Sequence, residues 1–158
     1  MLFNPTSEIA MELEVRTVAD EIKSWIEEAA LNTGSNVSVV TDAKAQELTT
    51  LINERYVFGL PGWWWAQLKK PCSKFDRNVV RLSQILPSLE SEIYLIPEYP
   101  NHEGPIFKIS ARDVEAVLND CPLFEYNLLG DEGGWLISES HHDVIYLCKS
   151  DDGLTNSL

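Results

Sequence analysis

The sequence predicts an α+β fold, with N-terminal helices packed on a largely antiparallel sheet of about five strands. Three observations predict it. Apolar residues in the first 60 positions recur at three- and four-residue spacings, the period of a helix face. From residue 92 onward the pattern changes to short β-prone runs separated by turn residues. Helices precede strands and no βαβ unit repeats, which excludes a Rossmann arrangement. The chain has 158 residues and shows neither an internal repeat nor a linker, so residues 1–158 are read as one domain. Within it, residues 1–60 are mainly helical, and residues 92–149 are mainly sheet with one helix.

The helical part reads as follows. Pro5, Thr6 and Ser7 open a pattern that Ile9, Leu13, Ile22, Trp25, Ile26 and Ala29 continue. Thr17 followed by Asp20 offers a restart, so the segment is one bent helix or two. LNTGSN at 31–36 stops it, and VSVV at 37–40 is ambiguous. Thr41 or Asp42 caps a second helix, with Ala45, Leu48, Leu51, Ile52 and Tyr56 on one face. FGLPG at 58–62 breaks the chain, and WWWAQL at 63–68 is β-prone in composition. Asp76 starts a third helix in this reading, with Val79, Leu82, Ile85 and Leu86 inward and Pro87 as its stop.

The strand part begins with EIYLIPEY at 92–99, which Pro97 confines to an edge or ends. PNHEGP at 100–105 is a turn and IFKIS at 106–110 the returning strand. Ser110 caps a helix whose buried stripe is Val114, Val117, Leu118 and Cys121. FEYNLL at 124–129, WLISES at 135–140 and DVIYLCK at 143–149 form a three-stranded meander. Its turns are GDEGG at 130–134 and the His141–His142 pair. The helices are expected over one face of the sheet.

Twelve Lys and Arg against 25 Asp and Glu give a net charge of −13. That excludes phosphate-backbone binding or anionic lipid as the main activity, and it suits a basic partner. No apolar run approaches the ~20 residues of a membrane helix. The first residues carry acid where a secretory signal carries base, so a cytoplasmic protein is expected. The charge is uneven. Residues 80–158 hold 14 acids and 4 bases, a net of −10, whereas residues 1–79 hold 11 acids and 8 bases, a net of −3. Cys72, Cys121 and Cys148 are odd in number and lack a CxxC spacing, so they are read as reduced thiols in the core.

Three constellations bear on function. In PGWWWAQLKKP (61–71) three successive Trp residues cannot face one way on a strand. Either Trp63 and Trp65 face inward and Trp64 outward, or the reverse. Trp64 is taken as the exposed interface anchor. In WLISESHHDV (135–144) a Ser140–His–Asp143 triad is suggested only by adjacency, and no G-x-S-x-G elbow supports it. One metal held by both His141 and His142 would need a further ligand such as His102 or Glu139. The third constellation is acidic. Glu98, Glu103, Asp131 and Glu132 lie at predicted turns, where loops present them to a partner, and Glu139 and Asp143 join them.

The ordered set WWWAQLKKP (63–71), EIYLIPEY (92–99), CPLFEYNLL (121–129) and WLISESHHD (135–143) resembles a bacterial family of small cytoplasmic domains of unknown function. The resemblance covers roughly residues 60–149. This chain departs from it in Asn127-Leu128-Leu129 and in the acidic GDEGG turn. The style is similar to immunity proteins encoded beside bacterial toxins, an analogy and not a motif match.

The expectation is a non-enzymatic inhibitor without cofactor or metal, docking a basic toxin domain. Glu98, Glu103, Asp131, Glu132, Glu139 and Asp143 would steer, Trp64 would anchor, and His141 and His142 would form the rim. The alternatives are a hydrolase or metal-dependent enzyme built on His141, His142 and Asp143, and a structural or regulatory subunit oligomerising through its N-terminal helix.

Overall fold

The computed structural model describes residues 17–69 and 71–150. The opening of the N-terminal helical pattern at residues 5–16 lies outside them. Helix α1 (Val18–Thr33) starts at the restart signal. The Asp20 N–H donates to Thr17 Oγ1 and the Thr17 N–H to Asp20 Oδ2, a reciprocal capping box. Gly34 ends the helix at φ 70°, a left-handed conformation that glycine adopts without cost. Strand β1 (Val37–Val39) follows, and Thr41 caps helix α2 (Asp42–Arg55) through the Lys44 N–H.

Past the Trp-rich segment come strand β2 (Ser73–Asp76) and a one-turn helix α3 (Leu82–Ile85). Strands β3 (Glu92–Pro97) and β4 (Phe107–Ser110) form a hairpin, and helix α4 (Val114–Asp120) follows. The meander is β5 (Tyr126–Gly130), β6 (Trp135–Glu139) and β7 (Val144–Lys149). All pair antiparallel in one seven-stranded sheet of order β1-β4-β3-β5-β6-β7-β2. The α+β class therefore holds, with seven strands instead of about five. The two extra strands are the ambiguous VSVV and the SKFD segment. SKFD lacks the length and apolar alternation that mark the other strands, and the third helix begins at Leu82, six residues later than Asp76. Val79, expected inward, is 77% exposed.

The sheet is covered on both faces, not one. Ile93, Leu95, Phe107, Ile109, Leu128 and Ile137 face α1, α3 and α4. Tyr94, Ile96, Leu129, Leu136 and Cys148 face α2 and the Trp segment. The two sets alternate along each strand, as the pleat requires. Fully burying an Ile or Leu contributes about 1.5–3 kcal/mol, and both sets contain many. Continuous burial of Ile93–Pro97 and of Tyr126–Gly130 is the consequence.

Cys72 and Cys148 form a disulfide, which corrects the reading of three reduced thiols. Ser73 pairs with Leu147, so Cys72 lies directly opposite Cys148 across the β2–β7 ladder with Cα atoms 4.6 Å apart. A sequence separation of 76 hides that register. Cys121 alone remains a thiol, and burial pushes its pKa up to about 11. No helix among the described residues is long and apolar enough to cross a membrane.

Candidate functional site

At one end of the sheet β3 and β6 finish while β5 and β7 begin. Loop 58–67 folds over this end, and the aromatic segment lies here. WWWAQL is not a strand. Residues Trp64–Ala66 form a 3-10 turn, and Gln67 is the residue that fixes it. Its buried amide accepts from the Leu60 N–H at 2.7 Å and donates to the Leu60 carbonyl at 2.6 Å. That pair of bonds mimics a strand partner and closes the loop.

The turn sends its indoles two ways. Trp64 is 2% exposed and stacks on His102, with centroids 4.7 Å apart and planes 11° from parallel. The expectation that Trp64 is the surface anchor is thus overturned, because it fills the layer between the sheet and α2. Trp63, 47% exposed, is the indole at the surface. It stacks on Trp65 at 5.5 Å, and the His141 ring meets both edge-on at 4.9 and 5.0 Å. His142 meets Trp65 at 5.6 Å.

Beneath Trp64 lies a buried polar chain. Glu98 Oε1 accepts from the Trp64 N–H at 3.2 Å and from Asn127 Nδ2 at 3.0 Å. Asn127 is fully buried, donates also to the Ile96 carbonyl, and accepts from the Ser138 hydroxyl at 2.5 Å. Burial raises the Glu98 carboxyl above its ordinary value, against the hydrogen bonds from Asn127 and Trp64. Glu98 Oε2 stands 3.7 Å from His102 Nδ1. His102 Nε2 lies 2.9 Å from the Gly62 carbonyl, which can only accept, so Nε2 carries the hydrogen.

His102 and Asn101 both sit at positive φ, 55° and 59°. Two consecutive non-glycine residues in that region cost of order 1 kcal/mol each and persist where surrounding contacts over-determine them. Here the contacts are Trp64, Gly62 and Glu98.

The second carboxylate, Glu139, is 4% exposed. Arg77 Nε reaches its Oε1 at 2.8 Å. Burial raises its carboxyl, opposed by the Tyr126 hydroxyl and Arg77. Glu98 and Glu139, expected as exposed steering charges, are therefore largely buried side chains, Glu98 beside Trp64 and Glu139 behind Arg77. Glu125 Oε1 lies 3.0 Å from His141 Nδ1 and accepts when that nitrogen carries the hydrogen, its other oxygen being buried without a partner. Gln67 is the residue of this site that the sequence did not single out, and Arg77, Glu125 and Asn127 carried no site role in it. Their signal was weak, a polar residue inside an apolar run such as Tyr126-Asn127-Leu128.

Glu103, His141, His142 and Asp143 are exposed at this end. Asp131 and Glu132 are exposed too, but at the β5–β6 turn, on the far side of the sheet across strands roughly 15 Å long. The acidic set is therefore divided between two ends. The Ser140 hydroxyl accepts from the backbone N–H of His142 and, among the described residues, donates to no imidazole, the bond a nucleophile–base pair needs. Among the described residues no group of three or more His, Cys, Asp and Glu is arranged to hold a metal ion.

A groove of about 630 Å³ opens beside Trp63, between residues 59–63 and 98–102. Glu98 lies at its base and Leu60, Pro61, Tyr99 and Pro100 form its walls. No family model matches this chain, and no curated protein matches its sequence. The functional reading rests on the residues themselves.

Proposed function

We propose that this protein is a non-enzymatic binding protein of the immunity type, which neutralises a basic protein partner by docking the end of the sheet that carries Trp63. The observation that carries this reading is a half-exposed indole held rigid by its neighbours. Trp65 stacks behind it and His141 meets its edge, so little side-chain entropy is lost when a partner covers it. Glu103, His142 and Asp143 supply a polar rim nearby. The net −10 of residues 80–158 favours a cationic partner and speeds encounter.

The rival readings have less support. His141 engages Glu125, His142 meets Trp65 and Asp143 faces Arg77, and the two imidazole rings lie against each other with centroids 4.0 Å apart. The apolar stripe of α1 (Ile22, Ile26 and Ala29) packs into the core, and the opening of the N-terminal helical pattern, Ile9 and Leu13, lies outside the described residues. The cytoplasmic location remains part of the proposal, and the Cys72–Cys148 bridge weighs against it, because disulfides persist mainly in oxidising compartments.

The test is capture of the native partner followed by kinetics with variants. Trp63→Ala should weaken binding by about 2 kcal/mol, roughly thirtyfold, as loss of an aromatic anchor does. Asp131→Asn with Glu132→Gln, at the far end, should change affinity less than about twofold. Association should slow steeply with added salt. A partner held equally well by the Trp63 variant, or one whose on-rate ignores salt, refutes the proposal.

A further inference from the structure

We infer that the groove between residues 59–63 and 98–102 is a socket for a Lys or Arg side chain of the partner, with Glu98 receiving the cation and Trp63 covering its aliphatic stem. The inference rests on the docking reading above and names the chemistry of its central contact.

Three features argue for a cationic side chain on an apolar stem. The groove's walls are apolar and aromatic: Leu60, Pro61, Trp63, Tyr99 and Pro100. Among the described residues its lining, which also takes in Val18, contains no Lys or Arg, and its one carboxylate is Glu98. The Glu98 side chain is only 6% exposed, yet it borders the groove. A carboxylate so placed has lost most of its water, and only Oε1 has found donors, Trp64 N–H and Asn127. Oε2 has the 3.7 Å approach of His102 and no hydrogen bond. An incoming ammonium or guanidinium supplies the missing donor in a site of low dielectric, where a charge-assisted bond is strong. Trp63 flanks the entry, and an indole face attracts a cation and packs on methylenes.

The groove's own construction fits a fixed recognition site. Gln67 clamps one wall through Leu60, and the left-handed pair Asn101–His102 shapes the other. His102 bridges the two, from the Gly62 carbonyl to Glu98. The volume exceeds that of one side chain, so residues flanking the Lys or Arg also enter.

The probes are three capped tripeptides, acetyl-Gly-Xaa-Gly-amide, in which Xaa is Lys, Arg or norleucine. Norleucine keeps the stem and lacks the charge. Binding is followed by nuclear magnetic resonance on the full-length protein, through the Trp63 indole N–H and the His102 ring. The Lys and Arg peptides should bind at least tenfold tighter than norleucine and shift both signals. Glu98→Gln keeps an oxygen for Trp64 and Asn127 while removing the charge, and should bring Lys down to the norleucine level. Trp63→Ala, at an exposed position that cannot unfold the core, should weaken all three peptides. Equal binding of Lys and norleucine, or a Lys preference that survives Glu98→Gln, overturns the socket. If partner capture depends on Trp63 while Lys and norleucine bind alike, docking stands and the socket falls. If Lys prefers the groove while partner capture ignores Trp63, the socket stands as a cation site and the docking proposal falls.

Discussion

Reducing the Cys72–Cys148 bridge should destabilise the fold by several kcal/mol without changing any side chain. The bond closes a loop with a sequence separation of 76. Applied to a loop of that length, the chain-entropy argument gives about 15 cal/mol/K, or about 4.5 kcal/mol at 25 °C. That figure is an upper bound, because residual denatured-state contacts reduce it. Position gives the loss a local signature as well. β2 is an edge strand of four residues whose one strand neighbour among the described residues is β7, and the bridge sits at the start of that pairing. The assay is urea unfolding with and without a phosphine reductant. With a slope of about 2 kcal/mol/M, the midpoint should fall by about 2 M. Hydrogen exchange should show β2 losing protection first. Thiol titration in urea without reductant should find Cys121 alone. Three reactive thiols in freshly purified protein, or a midpoint shift below about 0.5 M, would refute the reasoning.

Two further outcomes follow from burial at the candidate site. Trp64→Ala should cost about 3–5 kcal/mol of stability, and Trp63→Ala under about 1 kcal/mol, read from paired urea melts; similar losses would contradict the assignment of inward and outward indoles. The buried carboxyls of Glu98 and Glu139 are both raised above 4.5, so the folded chain holds their protons more tightly than the unfolded chain. Their contribution is fully present below the unfolded value and is lost as pH rises through the folded one. Glu139→Gln should flatten the decline of stability just above pH 4.5 relative to the parent, and an unchanged or steeper decline would refute the assignment.

Local signals in the sequence were read well where one segment suffices. The Thr17–Asp20 capping box, the Thr41 cap and the meander of FEYNLL, WLISES and DVIYLCK each depend on residues close in the chain. The two misreadings have different causes. Placing Trp64 outward treated the segment as a free strand, whereas a distant carboxylate and a distant imidazole hold it inside. Expecting helices on one face ignored that IYLIP and YNLL do not alternate apolar with polar. A strand without that alternation is buried on both faces, and the clue was already present.

Composition, period and capping determined the α+β class, the approximate helix and strand order and the acid excess. These follow from side-chain chemistry within a few residues. Tertiary structure alone decided that Glu98 and Glu139 are interior, that Trp63 is the surface indole, that the acidic turns lie at opposite ends and that Cys72 meets Cys148. Each of those facts is set by contacts between distant segments, strand register for the carboxylates and the disulfide and the Gln67, Glu98 and His102 contacts for the indoles. A register shift of one residue turns every side chain to the other face, and no local pattern encodes which of many distant strands will supply the partner.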